Sequence, residues 1–125
     1  MIVRNFLQTR QEQVTSHNGI GFVKDALVFG EGDFESNLDF IIYTEISPGS
    51  TIGYHPHGED EEIYVILEGS GIMTVNGEKR SVGPGDIIVN RPGWSHGLEN
   101  VSEETLKLLV FDVKLKTRQQ RKNQN

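Results

Sequence analysis

The sequence predicts an all-β domain whose sheets close into a barrel, and three observations support this class. Fourteen glycines separate short runs that are rich in β-branched and aromatic residues, as in proteins built from many short strands. No segment shows a sustained helical period. The length of 125 residues fits one compact domain. Because many short strands leave unpaired edges, wrapping the sheets into a barrel is the favoured arrangement.

The individual strands follow from the apolar runs and from the turn sequences that end them. Asn76-Gly77 predicts a type I′ hairpin, because both central residues of that turn need positive φ. The stretches 47–50, 83–86 and 91–94 combine glycine with proline and predict further turns. The predicted strands, in chain order, are 38–46, 52–57, 62–67, 72–75, 78–82, 87–90, 97–100 and 106–113.

The remaining segments predict how the chain is organised around this barrel. Residues 1–37 are expected to form an N-terminal arm and first strands that pack on the barrel core, 38–113. Within the arm, 6–14 is short and polar, which predicts a brief helix or an irregular segment. His17 is interpreted as a turn residue without a functional role. The polar and basic tail, 114–125, is expected to be disordered.

Composition and charge exclude several classes of function. Eighteen acidic residues against twelve basic ones give a formal net charge of −6, which argues against nucleic acid or an anionic membrane as the main partner. No apolar run is long enough to cross a bilayer, and the first residues lack the layout of a secretory signal, so we expect a cytoplasmic protein. Without cysteine there are no disulfides, thiolate ligands or cysteine nucleophiles.

A histidine pair, a glutamate and a third histidine are the candidate functional residues. His55 and His57 are two apart, and a spacing of two puts both side chains on one face of a strand. Glu62 lies on the next predicted strand, and His96 lies near a distant hairpin. Three neutral nitrogens and one carboxylate oxygen suit a divalent transition metal. The pattern therefore predicts one metal site inside the barrel.

The spacing of these residues resembles the first motif of the cupin family. That motif is a glycine, five residues, His-x-His, three or four residues, a glutamate, six residues and a glycine. Gly49, His55, His57, Glu62 and Gly69 match every position.

The second cupin motif is matched as well, with one departure. It is a glycine, five residues, Pro-x-Gly, two residues, a histidine, three residues and an asparagine. Gly85, Gly93, His96 and Asn100 fall at the expected offsets. Arg91 stands where the motif has proline, and the proline follows one position later. Two motifs with correct spacing are far more specific than an isolated His-x-His.

The resemblance covers roughly 38–113 and implies both a fold and a ligand set. The fold would be a single cupin-type double-stranded β-helix, a barrel of the jelly-roll kind. The metal ligands would be His55, His57, Glu62 and His96. Glu61 competes with Glu62 for the carboxylate position, but it leaves seven residues before the motif's last glycine instead of six. Glu62 is therefore preferred.

Four protein ligands would leave open positions on the metal for water, dioxygen or substrate. Mn, Fe, Ni, Co and Zn all suit such a site. Three neutral imidazoles and one carboxylate leave one net positive charge, which attracts a carboxylate or enediolate oxygen. Basic residues are few in the barrel region, so a phosphosugar is a less favoured substrate than a small apolar or singly anionic metabolite.

The resemblance favours a metal-dependent enzyme of the dioxygenase or decarboxylase kind, with Tyr64 and Glu61 as candidates to assist proton transfer. Tyr43 and Tyr54 are weaker candidates for the same role. The alternatives are a non-catalytic protein that binds or senses a metabolite through its metal, a sugar isomerase or epimerase, and a purely structural metal. The partner is expected to be a small molecule. Strand edges and the apolar start of the chain predict a homodimer.

Overall fold

The computed structural model describes residues 1–116, 120 and 122, and within them the chain forms ten strands and a short 3-10 helix at Glu31–Asp33. The strands are β1 (Glu12–Val14), β2 (Val23–Phe29), β3 (Leu38–Ile46), β4 (Thr51–Pro56), β5 (Asp60–Glu68), β6 (Gly71–Val75), β7 (Glu78–Val82), β8 (Ile87–Asn90), β9 (Ser95–Glu99) and β10 (Leu106–Lys114).

The strands form two sheets that face each other. The larger sheet has six strands in the order β1-β2-β3-β10-β5-β8, and the smaller has four in the order β4-β9-β6-β7. All pairings between these strands are antiparallel. The all-β class is confirmed.

The core lies between the two sheets because alternate side chains of each strand point inward. On β5, Tyr64 and Ile66 are buried, and on β10 Leu106, Leu108 and Val110 are buried. These side chains pack with apolar residues of the smaller sheet in one cluster. A second, smaller cluster on the other side of the larger sheet includes Ala26, Val28 and Tyr43, with Phe6 packed against it.

The strand predictions agree closely with the structure. The predicted spans of β3, β7 and β8 match residue for residue, and the other five differ by one or two residues at an end. Asn76 and Gly77 have φ of 47° and 80°, as the predicted hairpin requires. The segment 6–14 is not a helix, since a turn is followed by β1, which pairs with β2.

The expectation of a disordered tail lies mostly outside the described residues. Strand β10 continues to Lys114, and Lys116 forms an ion pair with Glu59 at 3.3 Å. Residues 117–119, 121 and 123–125 are not described. In the described part of the chain, no helix is long and apolar enough to span a membrane.

Candidate metal centre

Three histidines meet where β4 and β9 pair in the smaller sheet. His55 lies directly opposite His96 in the register of these strands, and His57 follows β4 by one residue. The candidate ligand atoms of His55, His57 and His96 all lie within 4.8 Å of one another. The spacing of two residues has brought the first two rings to the same side, as predicted. The group can hold a metal ion.

Glu62 reaches this group from the opposite sheet. It lies on β5 with its side chain directed into the core, and its Oε1 is 3.2 Å from Nε2 of His96 and 3.4 Å from Nε2 of His57. The four residues that the sequence singled out are therefore brought together from both sheets. Their role as the ligand set remains a prediction.

The histidine rings are held in orientations that suit metal binding. His55 donates from Nδ1 to the carbonyl oxygen of Gly53 at 2.7 Å, and its Nε2 is buried without a hydrogen-bond partner. His57 donates from Nδ1 to Oδ1 of Asp60 at 3.1 Å. A hydrogen bond at one ring nitrogen fixes the tautomer and leaves the other nitrogen for a metal, as is usual for histidine ligands. The unpartnered Nε2 of His55 is the observation that fits a metal best.

Interactions within the site shift the pKa values of its ionisable side chains. The hydrogen bond with Glu62 raises the pKa of His57 from 6.5 to about 9. Burial acts to raise the pKa of Glu62, but hydrogen bonds with His57 and His96 outweigh it and lower that pKa from 4.5 to about 2. Burial lowers the pKa of His55. In the absence of a metal, the protonated imidazole of His57 balances the negative charge of the Glu62 carboxylate, which a metal cation would otherwise balance.

Asp60 and Asp112 form a second acidic group next to His57. Asp60 lies close to Asp112, which is fully buried, and burial followed by the interaction with Asp60 raises the pKa of Asp112 to about 8. Nζ of Lys114 is 3.7 Å from Oδ2 of Asp112. Asp112 is also the register partner of Glu62. A half-buried acid, Asp60, and a buried acid, Asp112, therefore lie beside the histidine group.

A cavity of about 110 Å³ adjoins the histidine group and shares Glu62 with it. Its apolar wall comes from β3, β4 and β10. Its polar residues are Ser16, His17, Asp25, Thr44, Glu62 and Tyr64. Among the described residues that line it, none is Lys or Arg. The volume is well below the roughly 300–1,000 Å³ of pockets that enclose drug-sized ligands, so it admits only a small molecule.

A family model for the cupin domain matches residues 42–112, which is more than half of the chain. This chain is a cupin. The resemblance drawn from the two motifs is confirmed, and the two facing antiparallel sheets are the cupin fold.

Similarity to Thermotoga maritima, in sequence and in structure, covers nearly the whole cupin. An oxalate-binding protein is 29% identical over 115 residues, which span 92% of this chain and 95% of that protein. The crystal structure of a predicted oxalate decarboxylase superposes with a TM-score of 0.87 at 28% identity, covering 92% of this chain and all of that chain.

The fold is also shared with more distant proteins. The polyketide cyclase RemF from Streptomyces resistomycificus has a TM-score of 0.74 at 20% identity and covers 96% of this chain and 89% of its own. At that identity the likeness establishes the fold alone.

Tyr64 and Glu61 occupy different positions around the cupin site. Tyr64 is buried, packs edge-on against His96 with ring centroids 5.5 Å apart, and lines the cavity. Burial and the neighbouring Glu62 raise its pKa well above the ordinary value, so its hydroxyl stays protonated. Glu61 precedes Glu62 on β5, so its side chain is directed to the other face, and it does not line the cavity. Its predicted role in proton transfer stays a prediction without geometric support.

Sequence reasoning missed His17. Its ring stacks on that of His55, with centroids 3.4 Å apart and planes inclined by 4°, and it lines the cavity. Asp25 was missed as well; it lines the same cavity, accepts a hydrogen bond from Thr44 at 2.8 Å, and has its pKa raised by burial. Both residues precede the region matched by the cupin model, so neither motif could have pointed to them.

Proposed function

We propose that this cupin binds one divalent transition metal through His55, His57, Glu62 and His96 and uses it to bind a small carboxylate of the oxalate type. The observation that carries the proposal is the cluster of three imidazoles, two of which lie within 3.4 Å of the Glu62 carboxylate, with a buried ring nitrogen of His55 left without a partner. A donor set of three nitrogens and one oxygen suits Mn, Fe, Co, Ni and Zn.

The charge of the site supports an anionic ligand. When bound, a divalent ion supplies a Lewis acid, and one carboxylate among the donors leaves it a net positive charge that attracts a carboxylate oxygen. The cavity beside the site is small and contains no lysine or arginine, which does not favour a phosphosugar. The similar protein from Thermotoga maritima that is described as oxalate-binding supports the same ligand class.

Turnover is a second candidate, and Asp25 is the observation that favours it. A metal site without a proton donor or acceptor suits binding, whereas an enzyme of the decarboxylase kind needs a group that transfers a proton near the ligand. Asp25 is a partly enclosed carboxylate in the cavity wall, and its raised pKa brings it closer to the neutral range. Tyr64 serves better as a fixed hydrogen-bond donor because its hydroxyl stays protonated. A cytoplasmic homodimer remains part of the proposal.

The test uses two neighbouring residues that face opposite ways. Glu62→Gln removes the carboxylate of the site, and Glu61→Gln makes the same change on the other face of β5. Protein purified without chelators is assayed for metal by mass spectrometry and for oxalate binding by calorimetry. We expect the wild type and Glu61→Gln to hold close to one metal per chain and to bind oxalate, and Glu62→Gln to lose most of both. Equal metal content and affinity in the two variants would contradict the proposal.

A further inference from the structure

The N-terminal turn that carries His17 is fastened to β4 beside the metal centre. The amide of Gly53 donates to the carbonyl of Ser16 at 3.0 Å, and Ser16 forms an isolated bridge with Ile52. The amide of Ile20 donates to the hydroxyl of Thr51 at 2.8 Å, and the amide of Thr51 donates back to the carbonyl of Ile20 at 2.9 Å. The turn is therefore a fixed part of the site's surroundings.

Two glycines make this close approach sterically possible. A Cβ added to Gly53 would collide with the carbonyl oxygen of His17, and one added to Gly19 would lie 2.6 Å from the carbonyl oxygen of Thr51. His17 itself has a φ of 50°, a left-handed conformation that non-glycine residues adopt uncommonly. The backbone is thus arranged so that one exposed side chain, the imidazole of His17, is laid over the ring of His55.

The ring nitrogens of this imidazole have no hydrogen-bond partner among the described residues. Within the described residues, no hydrogen bond engages either ring nitrogen of His17, although the ring lies at the mouth of the cavity that Glu62 also lines. Ring stacking alone would be served as well by a phenyl ring. A nitrogen-bearing ring held at a ligand cavity with no internal partner has a donor available for whatever occupies that cavity.

We propose that His17 contacts the carboxylate bound at the metal site, donating a hydrogen bond from a ring nitrogen to one of its oxygens. The inference rests on the function proposed above and adds to it a ligand contact from outside the region matched by the cupin model. A donor at this position discriminates among small acids by the distance between the metal-bound oxygen and a second acceptor. The N-terminal turn is then part of the ligand site and not only of the sheet edge.

The test separates hydrogen bonding from stacking. His17→Phe keeps an aromatic ring over His55 but removes the donor, and Asn18→Gly is the control, because it changes the exposed neighbour to a residue that adopts the φ of 55° found there. Each protein is loaded with Mn²⁺, its metal content is measured, and oxalate is titrated calorimetrically. We expect Mn²⁺ content to be unchanged in both variants. We expect oxalate affinity to fall about 10- to 100-fold in His17→Phe, the usual effect of losing a hydrogen bond to a charged group, and to be unchanged in Asn18→Gly.

Three other outcomes overturn the inference. Unchanged oxalate affinity in His17→Phe would mean that the ring only packs on His55. Loss of Mn²⁺ in His17→Phe would mean that His17 supports the metal and not the ligand. If the Mn²⁺-loaded wild type does not bind oxalate, the proposed function is refuted. The contact of His17 with the bound carboxylate is then refuted as well. As a second measurement, oxalate added to the Zn²⁺-loaded wild type should shift the ¹⁵N resonances of the His17 ring, and unshifted resonances would contradict the contact.

Discussion

The proton that His57 holds beside the Glu62 carboxylate gives the sharpest quantitative prediction. In metal-free protein, replacing Glu62 by Gln removes the negative charge of the hydrogen-bond partner that raises the pKa of His57 from 6.5 to about 9. Each pKa unit corresponds to about 1.4 kcal/mol, so the partner stabilises the protonated imidazole by about 3 kcal/mol. We expect the pKa of His57 to fall by about two units in Glu62→Gln, with the nearby Asp60 keeping it from falling further.

The assay is an NMR titration of the imidazole resonances in metal-free protein. Glu61→Gln is the matched control, because it removes a carboxylate one residue away on the opposite face of β5. We expect the wild type and Glu61→Gln to titrate His57 near pH 9 and Glu62→Gln to titrate it near pH 7. A wild-type pKa close to 6.5, or the same value in all three proteins, would refute the reasoning.

The same proton sets the pH dependence of metal binding. A metal requires His57 in its neutral form, so binding at pH 7 must displace a proton held with a pKa of about 9. The difference of two pH units lowers the apparent affinity for metal about 100-fold relative to pH above 9. Affinity should therefore rise close to tenfold per pH unit between pH 7 and 8.5. A flat profile over that range would show that His57 is already neutral in the free protein.

Three further predictions follow from the surroundings of the site. Asp60→Asn weakens the hydrogen bond that orients His57, and competition with a chelator should show metal affinity lower by about 10- to 100-fold. Gly53→Ala forces a side chain against the carbonyl of His17 and should lower the free energy of unfolding by about 1–3 kcal/mol in urea titrations, whereas Gly58→Ala, where nothing lies within 4 Å, should be near neutral. In metal-free protein, the interaction of His57 with Glu62 makes its full contribution to stability between about pH 4.5 and 6.5. Urea titrations should show this contribution being lost as the pH rises through about 9 or falls through about 2.

Local sequence signals predicted the strands and turns because these depend on neighbouring residues. Runs of β-branched and aromatic residues ended by turn sequences marked β3 and β8, and Asn76-Gly77 marked a hairpin through its positive φ. The order of strands in the two sheets was not predictable, since it depends on pairings between distant segments such as β3 with β10. The first strands, β1 and β2, were expected within residues 1–37 but without bounds, and the three residues of β1 carry too little periodic signal to place it.

The candidate metal centre was predictable to the extent that motif spacing encodes it. The six residues between Glu62 and Gly69 favoured Glu62 over Glu61, and the alternation of side chains on β5 places Glu62 beside the histidines. His17 was not predictable, because its position depends on a turn fastened to β4 through Gly53, a contact between segments far apart in sequence. The tautomer of His55, set by a carbonyl of its own strand, likewise needed coordinates.

We expect one metal ion to be held between the two sheets by residues of both. An anomalous-scattering map from crystals of the Mn²⁺-loaded protein tests it directly. We predict a single peak bounded by Nε2 of His55, His57 and His96 and by a carboxylate oxygen of Glu62. A peak at the Asp60 side of His57, or none near the three rings, would contradict the account.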